Sequence, residues 1–138
     1  MMEAWKILLA DDDPEDRAII EDALELDDAH GLIAFAENGE QALALLEQGF
    51  NSAHIPCLIV LDLNMPRLNG TQTLGKLKDD ERFKDIPVII YSTSINPLEK
   101  EKCMSLGAQA YITKPISYKE SKDTIQLFLQ YCIPKIPI

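Results

Sequence analysis

Residues 7–14, ILLADDDP, join a short apolar run to three consecutive acids and a proline. Short, uninterrupted apolar runs are typical of strands in a parallel sheet that is covered on both faces. The Asp13-Pro14 pair is typical of a helix start, with Asp13 as the N-cap and Pro14 in the first turn. The segment therefore predicts a strand that leads directly into a helix.

The same alternation of strand-like and helix-like patterns continues along the chain. Strands are expected near residues 6–11, 32–36, 57–62, 87–92 and 110–113, and helices from residue 14 and near residues 39–48, 71–80, 97–106 and 118–133. The pattern predicts an α/β fold, a flavodoxin-like doubly wound sheet of five parallel strands in the order 2-1-3-4-5 with five helices. We expect residues 1–138 to form a single domain without a separate output domain.

Composition limits the partners and the location of the protein. The 138 residues carry 23 Asp and Glu against 13 Lys and Arg, a net charge of -10. Nucleic acids and anionic membranes bind basic surfaces, so neither is expected as a partner. The N-terminus does not read as a signal peptide or a membrane span. The three cysteines lack a Cys-x-x-Cys spacing, which favours core thiols in a reducing compartment over a disulfide. We therefore expect a cytoplasmic protein.

Polar residues end four of the predicted strands. Asp11 and Asp12 follow the first strand, Asp62 the third, Ser92 the fourth and Lys114 the fifth. Open α/β sheets bind their ligands at the carboxyl ends of the strands, so we expect these side chains to converge on one edge. Three carboxylates without a counterion would repel one another, and Mg²⁺ prefers such oxygen ligands. The sequence therefore predicts a magnesium site.

The same residues suit the transfer of a phosphoryl group to a carboxylate. Asp62 is the expected nucleophile, because it stands alone at the centre of the sheet edge and can form an acyl phosphate. Lys114 and Ser92 are expected to bind phosphoryl oxygens through an ion pair and a hydrogen bond. The predicted metal ligands are Asp12, Asp11 directly or through water, Asp62 and the backbone carbonyl of Asn64.

Four segments of the chain, taken together, resemble the receiver domains of bacterial two-component response regulators, especially the stand-alone chemotaxis type. These segments are residues 7–14, 58–66, 87–92 and 107–115, and the resemblance covers about residues 6–132. It implies that a histidine kinase or phosphotransfer protein phosphorylates Asp62 and that Asp11 and Asp12 hold Mg²⁺. It also implies a phosphoacceptor signalling domain rather than an enzyme that acts on a separate substrate. The domain would catalyse the gain and the loss of its own phosphoryl group.

The resemblance further implies a set of residues that respond to phosphorylation. Ser92 is the switch hydroxyl, at a position where Thr is commoner, Tyr111 is the switch aromatic, and Lys114 binds the phosphoryl group. The bond between Lys114 and Pro115 is expected to be cis. Two interpretations of Tyr111 stay open, a side chain that moves in the switch and an ordinary aromatic residue packed on the sheet.

Two other function classes share part of this pattern. A phosphatase or phosphotransferase of the haloacid-dehalogenase type needs an acid two residues after the nucleophile, and that residue is Asn64. A flavodoxin-like flavin carrier needs hydroxyl and glycine donors in its first loop, where the acids at 11–13 would repel phosphate. The leading hypothesis is a response regulator in which phosphorylation changes contacts with a downstream protein.

The fifth predicted helix carries apolar residues on two faces. Its core stripe is Ile125, Phe128, Leu129 and Cys132, and Leu127 and Tyr131 form a further pair off that stripe. Scattered apolar residues are also common on ordinary surfaces, so this signal has two interpretations. We favour a partner surface on helix 4, strand 5 and helix 5, through which a homodimer could form.

Overall fold

The computed structural model describes residues 5–26 and 31–132, in which strands and helices alternate. The strands are β1 (Ile7–Ala10), β2 (Ile33–Ala36), β3 (Leu58–Leu61), β4 (Val88–Ser92) and β5 (Ala110–Thr113). The helices are α1 (Pro14–Leu26), α2 (Gly39–Asn51), α3 (Gly70–Lys78), α4 (Pro97–Ser105) and α5 (Tyr118–Gln130). The C-terminal segment 133–138 lies outside the described residues.

The sheet has the predicted order, β2-β1-β3-β4-β5, with every neighbouring pair parallel. Ala10 pairs with Ala36 on one side and with Leu61 on the other, so the carboxyl ends of the first three strands are level. This register places the residues that follow Ala10 and Leu61 next to each other at the point where the strand order reverses, which is where such sheets bind ligands.

Apolar clusters cover both faces of the sheet. The side chains of Leu8 and Ile59 belong to the cluster beneath α2 and α3, whereas Ile7 and Val60 belong to the cluster beneath α1 and α5. Alternate strand residues point to opposite faces, which explains this division. Burial of one such side chain contributes roughly 1.5–3 kcal/mol. The core therefore holds the strand ends, and the polar residues that follow them, in fixed positions.

Side-chain caps set the starts of the helices that surround the carboxyl edge of the sheet. The Asp13 carboxylate accepts a hydrogen bond of 2.9 Å from the backbone N–H of Glu15, as predicted for an N-cap at α1. Asn69 caps α3 in a capping box with Gln72. Next to it, a Cβ on Gly70 would overlap the backbone carbonyl of Asp62, so only glycine lets α3 begin this close to the end of β3.

Two expectations about the backbone and the thiols are wrong. The described residues contain no cis peptide bond, so Lys114 and Pro115 are joined by a trans bond, the form that X-Pro bonds favour by about 0.5–1 kcal/mol. Cys57 and Cys132 form a disulfide, with Cα atoms 5.5 Å apart. These cysteines precede β3 and follow α5, and only the folded chain brings them together. Cys103 is a buried free thiol, as predicted.

Among the described residues, every helix is too short or too polar to cross a lipid bilayer.

Candidate functional site

Three acidic side chains meet at the carboxyl ends of β1 and β3, as the sequence predicts. One carboxylate oxygen from each of Asp11, Asp12 and Asp62 lies within 4.8 Å of the other two. Backbone hydrogen bonds fix two of these residues, since Asp11 donates to Ala36 at 2.9 Å and Asp62 donates to Ala10 at 3.0 Å. Asp11 and Asp62 are buried, whereas Asp12 is exposed at the rim.

This donor set fits a magnesium ion. Mg²⁺ takes oxygen ligands, keeps several water molecules and is typically bound by one or two carboxylates together with phosphate oxygens. Two buried carboxylates and one exposed carboxylate offer both protein ligands and an open side toward solvent. Asn64, whose backbone carbonyl is a further predicted ligand, is exposed in the loop that follows β3.

Lys114 follows β5 and connects the acids of the site. Its ammonium Nζ lies 2.6 Å from the Oδ2 atom of Asp11, 2.7 Å from that of Asp16 and 3.2 Å from that of Asp62. The lysine side chain is only 8% exposed. A backbone hydrogen bond of 2.8 Å from Lys114 N–H to the Ser92 carbonyl fixes the residue beside β4. The structure therefore brings Lys114 to the acids, as predicted.

Asp16 is a member of this cluster that the sequence analysis missed. It lies in the first turn of α1, where acidic residues stabilise a helix without any other role. The stability of α1 is therefore reason enough for an acid at this position, and the sequence pattern gives no sign that Asp16 contacts Lys114.

Burial and hydrogen bonding shift the pKa values of the cluster in opposite directions. Burial raises the pKa of Asp11 to about 6, although the hydrogen bonds from Lys114 and from the Asp13 backbone oppose the change. Burial would lower the pKa of Lys114, but hydrogen bonds to Asp11 and Asp16 outweigh it and raise that pKa above its ordinary value. One ammonium thus serves several carboxylates, which leaves an excess of acidic groups that a divalent cation would neutralise.

Ser92 and Tyr111 both contact the loop that joins β4 to α4. Ser92 is fully buried, and its Oγ accepts a hydrogen bond of 3.2 Å from the Ser94 backbone N–H. Tyr111, half-buried on β5, donates its hydroxyl to the Ser94 carbonyl at 2.8 Å. The N-cap of α4 is Asn96, further along the same loop. The two predicted switch residues are therefore linked through a third residue, Ser94.

The surface predicted for partner binding is apolar in part. Leu98 and Met104 on α4 are 72% and 41% exposed, and Leu127 on α5 is 41% exposed. Tyr131, the predicted companion of Leu127, is half-buried and packs against the core cluster beneath α1 and α5. The sequence pattern at Tyr131 thus reflects the packing of the chain on itself.

Comparison with known proteins gives a consistent family assignment. Residues 7–126 match the model of the response regulator receiver domain. A protein-glutamate methylesterase/protein-glutamine glutaminase of Trichodesmium erythraeum (strain IMS101) is 33% identical over 139 residues, which cover 99% of this chain and 38% of that protein. The chain thus spans well under half the length of this relative.

Two solved structures resemble the whole described fold. The phosphorylated cyanobacterial phytochrome response regulator RcpA is 29% identical, with 98% of each chain covered and a TM-score of 0.84. The Mn²⁺-bound form of the response regulator Rcp1 is 26% identical, with 97% of this chain and 98% of that chain covered and a TM-score of 0.80.

Proposed function

The chain belongs to the family of response regulator receiver domains, and on that premise we propose that Asp62 is its phosphoacceptor. Members of the family are two-component response regulators, and Mg²⁺-dependent phosphorylation of an aspartate is their general mechanism. The observation that supports Asp62 is its position, since it directly follows the central strand β3, beside two further acids and 3.2 Å from the Lys114 ammonium.

Phosphoryl transfer to Asp62 exchanges one bond to phosphorus for another. A carboxylate oxygen of Asp62 forms the new P–O bond while the P–N bond of a phosphohistidine donor breaks, and the electron pair of the broken bond stays on the imidazole nitrogen. The product is an acyl phosphate, and water later attacks phosphorus to release inorganic phosphate and restore the carboxylate.

Lys114 and the acids supply the electrostatics of the transfer. Asp11, Asp12, Asp62 and the backbone carbonyl of Asn64 would hold Mg²⁺, which when bound neutralises negative charge on phosphoryl oxygens. The Lys114 ammonium donates to another phosphoryl oxygen, and its low exposure strengthens that contact relative to one in water.

Ser92, Ser94 and Tyr111 form the switch in this proposal. A phosphoryl oxygen on Asp62 offers the Ser92 hydroxyl an acceptor, and turning toward it weakens the contact between Ser92 Oγ and the Ser94 N–H. Tyr111 donates to the carbonyl of the same Ser94, so a shift of this loop changes the position of the Tyr111 side chain. The signal then reaches the surface formed by α4, β5 and α5.

Receiver domains interact with histidine kinases or phosphotransfer proteins and with downstream targets. For this chain we propose a histidine kinase or phosphotransfer protein as the donor, a downstream protein as the receiver of the signal, and homodimerisation through α4, β5 and α5. The exposed side chains of Leu98, Met104 and Leu127 support this surface. The net charge of -10 argues against nucleic acid and anionic membranes. We also propose a cytoplasmic location, because a histidine kinase that serves Asp62 uses ATP; the disulfide between Cys57 and Cys132 is uncommon in that compartment.

The proposal predicts covalent labelling by a small phosphodonor. Incubation with acetyl phosphate and Mg²⁺ should add the mass of one phosphoryl group, and hydroxylamine should remove it, because acyl phosphates react with hydroxylamine. The Asp62→Asn variant should stay unlabelled. As a control, Asp85→Asn removes an exposed acid just before β4, at the edge of the sheet opposite the site, and should label like the wild type. Labelling that persists in Asp62→Asn would place the phosphoacceptor at another residue.

A further inference from the structure

Asp16, which the proposed reaction leaves without a role, makes one of the shortest contacts with the Lys114 ammonium. We infer that Asp16 is a positioning residue that holds Lys114 on the α1 side of the site and thereby weakens the hold of Lys114 on a phosphoryl group. This inference rests on the proposed function, because it concerns the phosphorylated state of Asp62.

The hydrogen-bonding capacity of Lys114 is fully used by carboxylates. An ammonium has three N–H donors, and Lys114 directs them to Asp11 at 2.6 Å, Asp16 at 2.7 Å and Asp62 at 3.2 Å. A phosphoryl oxygen gains a donor from Lys114 only when one of these three contacts is given up. The contact with the proposed phosphoacceptor is the longest of the three.

The three carboxylates differ in what phosphorylation would do to them. Asp11 and Asp62 belong to the group that can hold a metal ion, so cation binding or phosphorylation changes their contacts with Lys114. Asp16 lies outside that group, so neither cation binding nor phosphorylation of Asp62 replaces its contact with Lys114 directly. It therefore competes with the phosphoryl oxygens for the same ammonium in every state of the site.

The position of Asp16 is fixed by its neighbour in the first turn of α1. Arg17 donates from Nη1 to the Asp11 backbone carbonyl at 2.6 Å, which ties this turn to the end of β1. The Asp16 side chain is 30% exposed, so water can replace Lys114 as its partner when the lysine moves. The competition is consequently moderate in strength, and Lys114 can still move away from Asp16.

Binding of beryllofluoride, a mimic of the phosphoryl group, measures this competition directly. At saturating Mg²⁺, calorimetry should show that Asp16→Asn binds beryllofluoride about three- to tenfold more tightly than the wild type, the range expected for loss of a partly exposed charge pair. Mg²⁺ alone should bind more weakly to Asp16→Asn, because the freed ammonium then competes more strongly for Asp11 and Asp62.

A matched control separates this contact from general electrostatics. Glu15→Gln removes the same charge from the same helical turn, where the side chain is exposed, and should leave both affinities within twofold of the wild type. Thermal unfolding of Asp16→Asn verifies that the variant is folded, and the opposite changes in the two affinities are a result that mere loss of structure would not give.

The outcomes are distinct. Tighter binding of beryllofluoride in Asp16→Asn, absent in Glu15→Gln, supports the inference. Unchanged or weaker binding overturns it, and weaker binding would mean that Asp16 orients Lys114 toward the phosphoryl group. A wild-type protein that does not bind beryllofluoride with Mg²⁺ at all would instead refute the proposed function, and the inference about Asp16 would fail with it.

Discussion

Lys114→Met should destabilise the metal-free protein strongly, and Mg²⁺ should restore much of the loss. The substitution keeps a long side chain and removes the ammonium that contacts Asp11, Asp16 and Asp62. Asp11 is the critical partner, because its side chain is 1% exposed and is left without the compensating cation.

The exposure of the partners sets the size of the effect. Removal of one member of a buried ion pair costs about 3–5 kcal/mol, because the remaining charge stays buried and unpaired. The contact with Asp16, whose side chain is 30% exposed, adds little to this sum. We therefore expect the free energy of unfolding to fall by about 3–5 kcal/mol at pH 8 in EDTA.

Protonation of Asp11 should reduce this loss at lower pH. The pKa of Asp11 is raised by burial to about 6 in the wild type, and the hydrogen bond from Lys114 opposes that increase, so its removal raises the pKa further. A carboxyl whose pKa is raised on folding stabilises the native state only where it is protonated, and this contribution disappears as the pH rises through the folded pKa. The variant binds the Asp11 proton at a higher pH than the wild type, so the deficit of Lys114→Met should shrink as the pH falls from 8 toward about 6, where Asp11 of the wild type also becomes protonated.

Urea unfolding followed by circular dichroism, with and without Mg²⁺, is the assay. Lys84→Met is the matched control, because Lys84 pairs with Glu81 at the surface, where the side chains are 42% and 86% exposed, and should cost less than about 1 kcal/mol. Mg²⁺ should stabilise Lys114→Met more than it stabilises the wild type or the control. Equal losses in both lysine variants, or equal gains from Mg²⁺, would refute the role assigned to the buried ammonium.

Three further predictions concern other parts of the molecule. Asp12→Asn should weaken Mg²⁺ binding in calorimetry while the metal-free protein becomes no less stable, since one of several repelling carboxylates is lost; a less stable metal-free variant would contradict this. Ser92→Ala should still accept phosphate, but hydrogen exchange on α4, β5 and α5 should respond less to beryllofluoride and Mg²⁺, and a response equal to that of the wild type would remove Ser92 from the switch. Thiol titration of the denatured protein should find a single free thiol after oxidation and all three after reduction, with the crosslink between Cys57 and Cys132 adding about 4 kcal/mol of stability; equal thermal stability of the two forms would contradict it.

The sheet and most of the acid cluster could be predicted because strand ends are visible in the sequence. Asp11 and Asp62 directly follow uninterrupted apolar runs, and parallel pairing in register then places them side by side. Lys114 could be placed for the same reason, since it follows the last strand. The positions of these residues depend on local pattern and on sheet topology alone.

The features that the sequence did not predict depend on side-chain contacts between distant elements. Asp16 reads as an ordinary first-turn acid until the fold brings α1 against the end of β5. The pairing of Cys57 with Cys132 spans 75 positions and depends on where α5 ends. The hydrogen bond from Tyr111 to Ser94 depends on a side-chain rotamer, which no sequence pattern specifies.

The residue that carries the phosphoryl group on the wild-type chain can be identified chemically. Borohydride reduces an acyl phosphate of aspartate to homoserine, so reduction after treatment with acetyl phosphate and Mg²⁺ marks the modified residue, which peptide mass spectrometry can identify. We predict homoserine at position 62 alone, and none when Mg²⁺ is withheld. Homoserine at any other aspartate, with Asp62 intact, would contradict the account.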